Sequence, residues 1–244
     1  YVPKELLHSW HLKDPLENYT VFLRDENILT DEIEMACKQS IMNEINEGLE
    51  IASAEPPIES SVSEELSDVF QDFNFKEVKE NDNRENIRLI DAISEGLKQS
   101  MQRHDNLILM GQDIAEYGGV FKVTDGFFEE FGEARVRNTP ICESAIVSTA
   151  MGLSINGYKS MMEMQFSDFA TSGFNPIVNL LAKSNYRWNQ KADVVIRMPC
   201  GAGVGAGPFH SQTNEAWFTH TPGLKVVYPA FPYDAKGLLT TAIE

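Results

Sequence analysis

The chain has no uninterrupted apolar run of about 18 residues, the length a membrane helix needs, so a helical membrane span is excluded. It opens YVPKELLHSW, with no initiator Met and without the charged-then-apolar layout of a secretory signal. It is therefore expected to be an internal piece of a longer polypeptide. Basic residues are scarce: 20 Lys and Arg stand against 37 Asp and Glu, a net charge of −17. Binding a phosphate backbone needs a basic footprint, so nucleic acid is excluded as a partner. Cysteine is sparse and odd in number, with Cys37, Cys142 and Cys200 far apart and no CxxC pair. That spacing supports neither a disulfide framework nor a zinc or redox motif. Buried or inert thiols in a reducing compartment, the cytoplasm, are expected. His8, His11, His104 and His220 show no metal-ligand spacing either, and no metal site is expected in this chain.

What is present is unevenly distributed. Residues 1–85 hold 21 acids against 7 bases, and residues 86–244 hold 16 against 13. The first part reads as helical over 14–54. Asp14 and Pro15 form a helix start, the aspartate as N-cap and the proline in the first turn. Thr30 is suited to cap a longer helix, with Asp31, Glu32 and Glu34 near its positive end. Ile33, Cys37, Ile41, Ile45 and Leu49 fall on about one face of it. Residues 54–83, rich in Glu, Ser, Asp and Pro, read as an acidic linker with one short helix at SEELSDVF. Val69, Phe70, Phe73 and Phe75 would let that linker dock on a neighbour.

From Ile87 the pattern alternates. IRLIDAISEGLKQSMQR has helical periodicity, and LILMG is a short apolar strand. ESAIVSTAMGLSI reads as a helix, MMEMQF as a strand, and DFATSGFNPIVNLLAKSNYRW as a long helix interrupted or begun near Pro176. DVVIRMP and GLKVVYPA read as strands, with a last helix from about Tyr233. The class is α/β with a mainly parallel sheet flanked by helices.

Three stretches carry possible chemistry. In TPICESA, Glu143 begins a helix. It is either a helix-start acid favoured by the dipole or a carboxyl placed where its proton matters. A carboxyl deprived of water holds its proton more tightly and can exchange it near neutral pH. In MPCGAGVGAGPFHSQ, glycines at 201, 203, 205 and 207 follow a strand without opening a helix. That argues against a dinucleotide site and for backbone close to some other ligand. His210 ends the loop, either as a surface or satisfied histidine or as an acid–base group beside a ligand. In MEMQFSDFATSGF, Gln165, Phe166, Asp168 and Phe169 mix polar and aromatic groups at a strand end, where α/β sheets bind ligands.

GQDIAEYGGVFKVTDGFFEEFG, RVRNTPICESA, EMQFSDF, VNLLAK, GPFHSQTNEAWFTHTPGLKVVYP and PYDAKGLL occur here in one order. Together they resemble the β chain of the decarboxylating first component of 2-oxo acid dehydrogenase complexes. The resemblance covers about Arg84 to Glu244. It implies a thiamine-diphosphate-binding fold, here the transketolase-like pyrimidine-binding domain, with the β chain's second domain lying past residue 244. Residues 1–53, from WHLKDPLENY onward, resemble more weakly the C-terminal end of the α chain. A fused enzyme is implied, its α and β regions joined by the acidic linker at 54–83.

The resemblance also implies roles by position. Glu143 matches the glutamate that hydrogen-bonds the pyrimidine ring nitrogen and biases its tautomer. Phe169 matches an aromatic packed on that ring, Gln165 a side chain near it, and Ile141 a position whose backbone faces it. His210 matches a histidine near the substrate and the lipoyl acceptor. The implied cofactors are thiamine diphosphate, with magnesium held by an α region absent from this chain, and a potassium ion near 194–197. TDGF at 124–127 lacks the first glycine of the magnesium-diphosphate motif. Many relatives carry Glu-Asp where this chain has Gln112-Asp113, which puts a proton relay through position 112 in doubt. The implied partners are a lipoyl-bearing dihydrolipoamide acyltransferase and an α-type region or subunit that completes the site, in a homo-oligomer. QFSDF favours the branched-chain, 2-oxoisovalerate type. The alternatives are a pyruvate- or acetoin-type enzyme and a non-catalytic assembly module.

Overall fold

A computed structural model describes residues 3–72 and 83–244. The chain divides into two compact units, Tyr1–Glu59 and Ser60–Glu244. The first contains helices α1 (Lys4–His11), α2 (Pro15–Asp25) and α3 (Asp31–Ala54). The Asp14 side chain accepts from the Leu16 amide at 2.8 Å, with Pro15 in the first turn of α2. Thr30 Oγ1 accepts from the Ile33 amide at 3.3 Å and starts α3. Both caps are where the sequence places them. Arg24 joins the two helices by pairing with Asp31 and Glu34. Ile33, Ile41, Ile45 and Leu49 remain exposed, as does Cys37.

The second unit begins with α4 (Val62–Ser67), the short helix of the acidic segment. Ser61 and Glu64 form a reciprocal capping box. Val69 and Phe70 line a cavity described below; Phe73 and Phe75 lie outside the described residues. Next come α5 (Leu89–Arg103), β1 (Leu107–Gly111), α6 (Phe127–Phe131), β2 (Val136–Asn138), α7 (Glu143–Ile155) and β3 (Lys159–Glu163). They are followed by α8 (Ser184–Trp188), β4 (Val194–Arg197), α9 (Glu215–Thr219) and α10 (Pro232–Ile243). The four strands form one parallel sheet in the order β2-β1-β3-β4.

Alternation along the strands builds two cores. Leu107, Leu109 and Met161 point to one face, where they pack with Leu97, Met101, Phe127 and Ile243. Ile108, Met110 and Met162 point to the other, with Ile146, Val147, Ile177 and Phe218. This is the period-2 geometry of a strand buried on both sides, as expected of a parallel sheet. Burying a leucine such as Leu107 or Leu109 contributes about 1.5–3 kcal/mol, and both have no exposed surface.

Three expectations need correction. The helix read over 168–188 is interrupted near Pro176, as expected, but it is not regular α-helix on either side of the break. Its place is taken by a 3₁₀ turn at Ser167–Thr171, a π-helical turn at Pro176–Leu181, and α8. Pro176 has no amide to continue a ladder, and Ala182 bonds back five residues to Ile177 O at 3.0 Å. The segment 224–230 is not a strand. A cavity of about 830 Å³, lined by Val194 and Ile196 of β4 and by Val226 and Tyr228, separates the two. Gly223 (φ +93°) turns the chain tightly against Ala182 where the segment begins. β-Propensity makes a strand only where a partner edge is in reach. Lastly, β2 is a three-residue strand that the sequence pattern did not reveal.

The excursion between β1 and α6 is pinned at several points. Thr124 Oγ1 donates to Ile114 O at 2.7 Å, and the Ala115 amide donates to Asn138 Oδ1 at 2.9 Å. Gly118 lies at φ +75°, and a Cβ there would meet Asp125 Cα at 2.7 Å. Gly118→Ala is expected to cost about 2–3 kcal/mol, from left-handed strain plus a backbone shift. Urea unfolding of the chain checks this; a loss under about 0.5 kcal/mol contradicts it.

Candidate functional site

Parallel α/β sheets bind ligands beyond the carboxyl ends of their strands, at the point where strand order reverses. In the order β2-β1-β3-β4 that point lies between β1 and β3. The candidate residues gather around it. Gln112 and Asp113 leave β1, Gln165 leaves β3, and Glu143 starts the helix that follows β2.

Glu143 is the first residue of α7, where the unpaired amides of a helix lie. No side chain caps this end, since Cys142 is the N-cap residue and makes no cap bond. The residue is 8% exposed, and its carboxyl Oε1 accepts a hydrogen bond from Gln112 Nε2 at 3.1 Å. Among the described residues, no hydrogen bond is made to its Oε2. Glu143, Ser144, Ser148, Ser172 and Ile141 line an open depression at this helix end. Ile141 is 83% exposed, unusual for an isoleucine beside a buried carboxyl.

One residue along from Gln112, Asp113 takes a left-handed conformation (φ 58°), and its Oδ2 accepts from Gln165 Nε2 at 3.3 Å. Phe166 follows. Its ring meets those of His210 (4.8 Å between centroids), Phe169 (5.8 Å) and Phe121 (5.7 Å) edge to face. Phe169 and His210 touch as well, at 5.4 Å. Such pairs contribute about 0.5–1.5 kcal/mol beyond their burial. Contacts thus run from Glu143 through Gln112-Asp113 and Gln165-Phe166 to His210 and Phe169.

The glycine-rich loop is held by the turn after β3. Ser167 Oγ donates to Gln212 O at 2.6 Å, and Asn214 Nδ2 donates to Ser167 O at 2.9 Å. The Gln212 amide donates to Asp168 Oδ1 at 3.3 Å. These bonds fix His210 on its aromatic neighbours. Two buried polar atoms are left without a partner here, His210 Nδ1 and Asp168 Oδ2. Buried polar groups are ordinarily satisfied, so these two atoms are exceptions.

The structure therefore brings Glu143, Gln165, Phe169 and His210 to one edge of the sheet, with Ile141 on its rim. Sequence reasoning missed the bonds of Gln112 and Asp113, the contacts of Phe166, and the buried pair Glu163–Arg197. Glu163 and Arg197 face each other in register across β3 and β4, with Arg197 Nη2 2.8 Å from Glu163 Oε2. Opposite charges at two strand ends were visible in the sequence, but only the parallel register makes them neighbours.

The group implied by the sequence pattern fits this edge in part. A buried carboxyl with one unbonded oxygen, exposed apolar surface at Ile141 and half-buried rings suit an aminopyrimidine. A diphosphate needs cationic or metal-ligating groups, and the described residues contain no group of three or more His, Cys, Asp or Glu placed to hold a metal.

Known proteins point the same way. Over 157 residues the chain is 45% identical to "2-oxoisovalerate dehydrogenase subunit beta" of Bacillus subtilis (strain 168), covering 64% of this chain and 48% of that one. It is 43% identical over 160 residues to "Pyruvate dehydrogenase E1 component subunit beta" of Acholeplasma laidlawii, covering 65% and 49%. The mitochondrial 2-oxoisovalerate dehydrogenase subunit beta of Dictyostelium discoideum is 40% identical over 171 residues, covering 69% and 46%. The chain thus spans about half the length of the curated relatives it matches. Among solved structures, "Split gene transketolase, inactive beta4 tetramer" shares the fold, with a TM-score of 0.50 at 20% identity over 64% of this chain and 47% of that one. Residues 85–244 match the family described as transketolase, pyrimidine binding domain, and the chain belongs to that family.

Proposed function

We propose that residues 84–244 form the pyrimidine side of a thiamine-diphosphate site in a 2-oxo acid dehydrogenase. The observation that carries this is Glu143, a buried carboxyl at a helix start, facing the carboxyl edge of the sheet with one oxygen held and one unbonded. When bound, thiamine diphosphate supplies a nucleophilic carbon and an electron sink for loss of carbon dioxide. The residues of this chain orient and protonate. Glu143 Oε2 holds or passes a proton at the ring nitrogen, which requires a carboxyl screened from water. Phe169 packs on the ring, Gln165 borders it, and the backbone at Ile141 faces it. His210, held edge-on by Phe166 and Phe169, serves the substrate end and transfer of the acyl group to lipoyl-lysine.

In this reading residues 1–53 are the tail of an α-type region and residues 54–83 a linker. The diphosphate and its magnesium are held by that α-type region or by a second subunit, in a homo-oligomer that docks a lipoyl-bearing acyltransferase. The free cysteines suit a cytoplasmic location. The exposed Ile141 supports an incomplete site, since it leaves an apolar face for a completing surface to cover.

Relatives of the branched-chain and pyruvate types match at nearly equal identity, so the substrate is settled by kinetics. The intact polypeptide, given thiamine diphosphate and magnesium, is expected to turn over 3-methyl-2-oxobutanoate with a higher kcat/KM than pyruvate. The 244-residue chain alone is expected to show no turnover. Failure of the intact protein on every 2-oxo acid would overturn the function, and a preference for pyruvate would overturn the substrate type.

A further inference from the structure

We infer that Gln112 is a positioning residue that acts through Glu143: its amide holds Oε1 so that Oε2 alone faces the ligand. The inference rests on the function proposed above. Both side chains are buried, each 8% exposed, and Gln112 Nε2 lies 3.1 Å from Glu143 Oε1. A buried carboxylate accepts hydrogen bonds at both oxygens, so fixing one defines the task of the other.

The base of this strut is rigid. Gly111, just before Gln112, pairs with Asn138 of β2 on one side and Glu163 of β3 on the other. Just after it, Asp113 is locked by two bonds. Its carbonyl accepts from the Gly119 amide at 2.8 Å, and its carboxylate accepts from Gln165. Gln112 therefore has little freedom to swing, and neither does the group it holds.

The chemistry of the side chain also matters. An apolar residue of the same size would fill the space without burying an amide, so packing does not explain a glutamine. A neutral donor orients the carboxyl without placing a second acid beside it. Two carboxyls at this distance would titrate as a pair. With glutamine at 112, the neighbour that meets Glu143 Oε1 is a neutral donor.

The test is a double-mutant cycle on thiamine diphosphate affinity, measured by calorimetry on the intact protein with magnesium present. Gln112→Met keeps the volume and removes the donor. Affinity is expected to weaken about fivefold, the equivalent of one ordinary hydrogen bond. In the Glu143→Ala background, where no carboxyl is left for Gln112 to hold, the same change is expected to alter affinity by less than about twofold, the margin within which such cycles are additive. Gln112→Asn, shorter by one methylene, is expected to repeat this pattern and serves if the methionine variant does not fold. Equal losses in both backgrounds mean that Gln112 only packs the site, and they overturn the proposal. So does wild-type affinity in the Gln112 variants. Failure of the underlying function is distinguishable, because the intact wild-type protein then binds no thiamine diphosphate and turns over no 2-oxo acid.

Discussion

Glu143→Gln is expected to slow 2-oxo acid decarboxylation by the intact enzyme about 10²–10⁴-fold, the usual contribution of a positioned acid or base. The substitution keeps shape and volume. The new amide oxygen can still accept from Gln112 Nε2, now 3.1 Å from Oε1. What disappears is the exchangeable proton on the unbonded oxygen. An amide can hydrogen-bond a ring nitrogen but cannot give up and regain a proton there. The melting temperature should stay within about 3 °C, because no buried packing changes and one hydrogen bond at most is weakened. Single-turnover kinetics with saturating thiamine diphosphate and magnesium decide the matter. A rate within about threefold of wild type would reduce Glu143 to a helix-start acid, since an acid–base group contributes far more.

The second large effect concerns stability. Arg197→Met is expected to destabilise the chain by about 3–5 kcal/mol, the cost of leaving a buried charge unpaired. The Glu163 side chain is 2% exposed and that of Arg197 14%. Arg197 Nε donates to Glu163 Oε2 at 3.0 Å, with Nη2 at 2.8 Å from the same oxygen. Glu163 also sits under the Gly119 turn, where a Cβ would lie 3.3 Å from its Oε1. Water cannot readily replace the guanidinium. Replacing both partners, Glu163→Met with Arg197→Met, is expected to recover most of the loss, because desolvation offsets much of a buried pair's attraction. Urea unfolding of the three variants measures this. A single variant within about 0.5 kcal/mol of wild type would mean the carboxylate is hydrated in solution.

The local signals were legible in the amino-acid sequence because their causes are local. Asp14 and Thr30 cap helices through bonds two or three residues away. Glu143 begins α7 at the residue where the polar-to-apolar pattern places it. LILMG, KSMME and VVIR are strands because β-branched and long apolar residues suit burial on two faces. The family was legible too, since several long motifs recur in one order.

What the pattern could not settle depends on residues far apart. The apolar segment 224–230 has strand composition, yet it lies across a cavity from β4. The break near Pro176 in residues 168–188 was legible, but the 3₁₀ turn at Ser167–Thr171 and the π-helical turn at Pro176–Leu181 were not. By itself, the sequence determined the class and most of the elements, and it singled out Glu143 as the candidate acid. Only the tertiary structure decided that β1 lies between β2 and β3, so that Gln112 reaches Glu143 across 31 positions and Asp113 reaches Gln165 across 52. The reason is that a hydrogen bond depends on distance in space, and a parallel sheet juxtaposes strand ends that the chain separates by an entire helix.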